Sequence, residues 1–90
     1  MPRFLIETQH VDDHKGCIMA LDAITKYGSH LVMRTEFGCE VGVHSGWLIV
    51  EVDSQDEAMQ LVPPNYRSSA RIVQLKHWTR DEIEKMVEAL

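Results

Sequence analysis

Five side chains in this chain have the types and spacing to do chemistry: His10, His14, Cys17, Cys39 and His44. Imidazole nitrogen and thiolate sulfur in one place suit zinc, copper or nickel, whereas calcium and magnesium demand oxygen ligands. Cys39 and His44 form a C-x₄-H pattern among three glycines, Gly38, Gly42 and Gly46. That spacing alone is a weak signal, but glycine lets the backbone fold closely enough for both side chains to face one ion. His14 precedes Cys17 by three residues, so on a helix the two lean the same way.

Other readings of the same residues stand beside this one. Cys17 lies on an apolar stripe, where free cysteine commonly packs as a small buried hydrophobe. His14 reads equally as a solvated first-turn residue, and His10, Cys39 and His44 as a hydrogen-bonded loop. Cys39 is also a candidate nucleophile with His44 as its base, which would require a lowered thiol pKa. The sequence contains no Ser-His-Asp pattern, phosphate-cradling glycine loop or dinucleotide fingerprint.

The elements that must position these residues follow from periodicity and punctuation. Arg3 to Gln9 alternates as a strand, with Phe4, Ile6 and Thr8 on one face. Asp12 or Asp13 caps a helix reaching about Tyr27, with Cys17, Ala20, Leu21, Ile24 and Tyr27 along one face and Gly28 as its stop. A hairpin is expected from His30 to about Val52, its long loop holding Gly38 to Gly46. Ser54 and Glu57 read as a capping box for a short helix that Pro63-Pro64 ends, and Asn65 to Ala70 reads as a polar loop. Arg71 to Trp78 is a fourth strand, and Thr79 with Glu82 caps a C-terminal amphipathic helix through Leu90.

The order is β-α-β-β-α-β with an extra C-terminal helix, a ferredoxin-like α+β arrangement in a single domain, residues 1–90. Right-handed crossovers give an antiparallel four-stranded sheet of order 4-1-3-2. Chain direction then draws His10, His14, Cys17, Cys39 and His44 to one end of the sheet. His30 falls at the other end, because a strand from His30 to Phe37 climbs roughly 23 Å. His77 is expected there too.

Ninety residues make one hydrophobic core, and 44% hydrophobic with 26% charged residues is ordinary globular composition. A net charge of −5 argues against a phosphate-backbone binder, so no nucleic-acid partner is expected. No apolar run reaches the ~18–20 residues that cross a bilayer, and MPRFLIE lacks a signal-peptide core. A cytoplasmic location, no membrane partner and reduced cysteines are the expectation. Strand 3 alternates Leu48, Val50 and Val52 against Trp47, Ile49 and Glu51. The second set, with Leu5 and Ile72, would leave an apolar patch on the open sheet face, which points to a homodimer through that face unless the final helix covers it.

The opening PRFLIE strand, the GWLIVEVDSQDEA passage and the later IVQL strand resemble the dimeric α+β-barrel superfamily of small bacterial proteins. The chain is also similar to a group of short bacterial proteins with a GSH…GC…G-x-H-x-x-W pattern, here Gly28-Ser29-His30, Gly38-Cys39 and Gly42-Val43-His44-Ser45-Gly46-Trp47. The resemblance implies the fold and a dimer. The superfamily includes monooxygenases, muconolactone-type isomerases, YCII-like proteins and small nickel-binding proteins, and no catalytic signature carries over to residues here. The leading expectation is a zinc, copper or nickel site on His10, Cys39 and His44, with Cys17, His14 or water as fourth ligand. A small enzyme with His44 or His10 as general base, and a non-catalytic structural or regulatory dimer, are the alternatives.

Overall fold

A computed structural model describes residues 1–10, 13–27 and 32–90. Strands β1 (Arg3–Gln9), β2 (Glu36–Gly38), β3 (Val43–Glu51) and β4 (Ala70–Leu75) form one sheet. Its order is β2-β3-β1-β4, which read from the β4 edge is 4-1-3-2, and every neighbouring pair is antiparallel. Helices α1 (His14–Tyr27), α2 (Gln55–Gln60) and α3 (Arg80–Glu88) complete the α+β architecture. No helix among the described residues is long and apolar enough to cross a membrane.

Register explains which face is buried. Phe4 lies opposite Val50 and Ile6 opposite Leu48, so period-two alternation sends these four to the same side. There they pack with Ala58 and Val62 from α2 and the turn after it, and all six are buried. Burying each of the large ones contributes about 1.5–3 kcal/mol. Ser54 caps α2, accepting the Glu57 N–H at 3.2 Å. Glu57 Oε2 in turn accepts from the Asp53 N–H, one residue earlier than a standard capping box.

Several expectations need correction. Ile72 stands opposite Ile6 and packs against the core, so it is not an open-face residue. Its neighbour Val73, opposite Leu5, takes that position. Pairing register sets the two faces, and a one-residue slip exchanges them; β4 also begins at Ala70 rather than Arg71. It also ends at Leu75, leaving His77 and Trp78 exposed beyond it. The segment expected as a polar loop is a 3-10 turn, Pro64–Ser69, which starts where Pro63 and Pro64 fix the backbone. Tyr66 in this turn packs on the core.

The second strand is only three residues long, because Val32–Arg34 is a 3-10 turn rather than extended chain. The long loop is likewise mostly strand: β3 starts at Val43, so His44 and Gly46 belong to it. The β2–β3 connection shrinks to a 3-10 turn, Cys39–Val41, closed by Gly42 at φ 83° with its N–H on the Cys39 carbonyl. Gly28 and His30 lie outside the described residues.

Helix α3 has the full capping box, Thr79 accepting from the Glu82 N–H and Glu82 from the Thr79 N–H. That backbone N–H, helped by the Thr79 hydroxyl, holds the Glu82 carboxyl below its usual range. Yet none of its residues is buried, and Ile83, Met86 and Val87 face solvent. It therefore does not cover the open sheet face.

The register predicts an asymmetry between two adjacent residues. Ile72→Ala should destabilise the chain by an amount approaching the ~2–5 kcal/mol typical of a core isoleucine. Val73→Ala at low protein concentration should cost within about 1 kcal/mol. Urea unfolding of both variants checks this, and equal losses would contradict the register.

Candidate metal centre

The site grows out of the β1–β3 pairing. Thr8 lies opposite Gly46 and Gln9 opposite Ser45, so the next pair is His10 and His44. The His10 N–H donates to the His44 carbonyl at 3.2 Å, carrying the ladder one step past the strand end. By alternation both imidazoles sit on the core side, in line with Phe4, Ile6 and Thr8 on one strand and Val50 and Leu48 on the other. Their rings meet edge-on with centroids 5.5 Å apart.

A bulge brings the first sulfur. Phe37 pairs with Gly46 but Gly38 pairs with Val43, so one step on β2 spans three on β3. His44 and Ser45 are the extra residues, and the distortion turns the chain after Gly38 across the end of β3. Cys39, first in the 3-10 turn, then sets its Sγ 3.2 Å from His10 Nε2. The second sulfur comes from α1. Asp13 caps the helix by accepting the Gly16 N–H at 2.6 Å, and its carbonyl accepts from the Cys17 N–H. Cys17 thus lies in the first turn, on the face that carries buried Ala20 one turn later.

Cys17 Sγ lies 3.3 Å from His10 Nε2 and 3.2 Å from His44 Nδ1. The four ligand atoms of His10, Cys17, Cys39 and His44 all lie within 4.8 Å of one another, and all four residues are half-buried. Three close sulfur–nitrogen approaches link the four residues, and the remaining pairs are also within that distance, so all four can reach one common centre. A tetrahedron with zinc–sulfur bonds near 2.3 Å and zinc–nitrogen bonds of 2.0–2.1 Å has edges of about 3.3–3.8 Å. The donor set suits such an ion, and since the atoms spread over as much as 4.8 Å, an ion would draw them about an ångström closer.

His10, Cys39 and His44 converge as the topology led one to expect. Cys17 joins them as the fourth donor, although its place on an apolar stripe argued for simple packing. His14 does not: it is exposed and outside the group. His14 stands six residues before buried Ala20, about 120° round the helix against about 60° for Cys17, so the face turned to the sheet leaves it in solvent. The supporting residue that sequence reasoning missed is Phe37. Its ring meets His10 edge-on at 6.2 Å and lies over Gly46, where a Cβ would come within 2.8 Å of Phe37 Cε1. The signal was Gly46 itself, a glycine interrupting an otherwise β-branched and aromatic strand.

Beneath the cluster is a cavity of about 30 Å³, reached by His10 and lined by Ile6, Phe37, Leu48, Val62 and Tyr66 among others. Sites for organic ligands are commonly ~300–1,000 Å³. This one has room for water, while an open depression of about 390 Å³ on the other side of His10 is lined by Gln9, Asn65, Tyr66, Ser68 and Ser69. Comparison of the chain with models of known families finds no match, and no curated protein or solved structure matches it.

The packing predicts how sensitive the centre is to Gly46. Gly46→Ala should force the Phe37 ring off the strand and cost ~1–3 kcal/mol, as overpacking does. The displaced ring should also change the His10 imidazole resonances in an NMR spectrum. An alanine tolerated with an unchanged His10 environment would contradict the contact.

Proposed function

We propose that this chain is a small transition-metal-binding protein whose ion is held by His10, Cys17, Cys39 and His44. The observation that carries the reading is the mutual approach of all four ligand atoms to within 4.8 Å. They come from four separate places: the end of β1, the first turn of α1, the β2–β3 turn and the start of β3. Zinc is the ion we favour, since a mixed two-sulfur, two-nitrogen tetrahedral set is typical of it; copper and nickel are the alternatives. Four protein ligands leave no open coordination position, which supports a structural or storage role over catalysis. The enzyme reading, with His10 or His44 as general base, would use the open depression of about 390 Å³ that His10 lines.

Protein purified without a histidine tag should carry about one metal equivalent per chain by elemental analysis. Cys17→Ala, Cys39→Ala and His44→Ala should each weaken binding by more than the ~10–100-fold that outer-shell changes cause. His14→Ala should leave it unchanged. Full metal retention in the first three variants would dispose of the proposal.

A second reading, compatible with the first, concerns assembly. The β-α-β-β-α-β order and the sheet arrangement support the ferredoxin-like reading, and the open face supports a homodimer of the α+β-barrel kind. Leu5, Trp47, Ile49 and Val73 share that face, and Ile49 is 51% exposed. The uncovered stripe of α3 adds Ile83, Met86 and Val87. Light scattering after size exclusion should give a dimer at micromolar concentration, and Ile49→Glu should convert it to monomer. A monomeric parent would remove this reading.

A further inference from the structure

Cys17 and Cys39 are the chain's two cysteines, both half-buried rather than sealed in the core. Each sulfur lies against the same atom, His10 Nε2, at 3.3 and 3.2 Å, and the two are within 4.8 Å of each other. They stand on different elements, one on the first turn of α1 and the other on the β2–β3 turn. A disulfide needs its sulfurs at about 2.05 Å. Side-chain rotation at two partly exposed positions is the natural way to close that gap. Resting on the metal-binding reading above, we infer that the centre is a reversible dithiol switch: oxidation joins Cys17 Sγ to Cys39 Sγ and expels the ion.

The chemistry balances with a peroxide as oxidant. One thiolate sulfur attacks a peroxide oxygen, the O–O bond breaks, and one oxygen leaves as water while the other stays on sulfur as a sulfenic acid. The second cysteine's sulfur then attacks the sulfenic sulfur, the S–O bond breaks, and a second water leaves. Two thiolates are oxidised by two electrons, peroxide is reduced by two, and two protons are taken from solvent as the metal departs. A neighbouring second thiol diverts the sulfenic acid from irreversible oxidation. Bonded to each other, the sulfurs are no longer thiolates, and the thiolate is the form that ligates metals. The ion is left with two imidazoles instead of four donors. Electron supply from a small dithiol reverses the change and rebuilds the site.

The test treats zinc-loaded and zinc-free protein in parallel with a slight excess of hydrogen peroxide. Free thiols are counted, the intact mass is measured, and released zinc is read with a coloured chelator. Expected are a fall from two thiols to none, a mass lower by two hydrogens, one zinc released per disulfide formed, and full recovery with dithiothreitol and zinc. The His44→Ala variant, with its zinc binding weakened, keeps both sulfurs and should still form the disulfide. Retention of zinc with both thiols intact would overturn the switch, as would added oxygen mass or covalent links only between chains. Failure of the parent chain to load zinc would overturn the metal reading and with it the expulsion. The zinc-free arm reads the disulfide separately, so the two failures are distinguishable.

Discussion

The pairing of His10 with His44 across the end of the β1–β3 ladder is the constraint on which the rest depends. It rests on one backbone hydrogen bond of 3.2 Å and on the period-two alternation that turns both rings inward. The same alternation buries Phe4, Ile6, Leu48 and Val50 farther down the two strands. Core and site are thus one surface, apolar along most of its length and nitrogen-bearing at its end. The two sulfurs are delivered to that end by short-range devices, a capped first turn for Cys17 and a bulge followed by a 3-10 turn for Cys39.

The arrangement has an energetic consequence. Seven hydrophobic side chains and Pro63 are buried among the described residues, and none of the larger ones is completely sealed. A core of that size gives a domain of this length limited stability. An ion that binds only the folded chain adds RT ln(1 + [L]/Kd), about 4 kcal/mol at a thousandfold excess over Kd. It would also tie the start of α1 and the β2–β3 turn to the end of the sheet. Metal binding and folding are then coupled, as they are in small metal-dependent domains.

Much of this was legible in the sequence, because it depends on chain direction and alternation. The span of β1, the faces of Phe4, Ile6, Leu48 and Val50, and the caps at Ser54 and Thr79 all follow from pattern. What escaped was set by local backbone geometry. Leu31 to Phe37 mixes strand formers, Val32, Thr35 and Phe37, with helix formers, Leu31, Met33, Arg34 and Glu36, so composition does not separate a strand from the 3-10 turn at Val32–Arg34. Ile72 and Val73 are adjacent and equally apolar, so only the partner strand decides which of them faces the core. Cys17 over His14 was likewise a matter of helix phase: both lie near the helix start, but only Cys17 shares a side with Ala20.

The central claim is that two sulfurs and two nitrogens surround one ion. X-ray absorption at the zinc edge, on protein loaded with a single equivalent, reads that shell directly. Four ligands are expected, two sulfurs at about 2.3 Å and two nitrogens at about 2.0–2.1 Å. A shell of oxygen and nitrogen alone, or one containing a single sulfur, would contradict it.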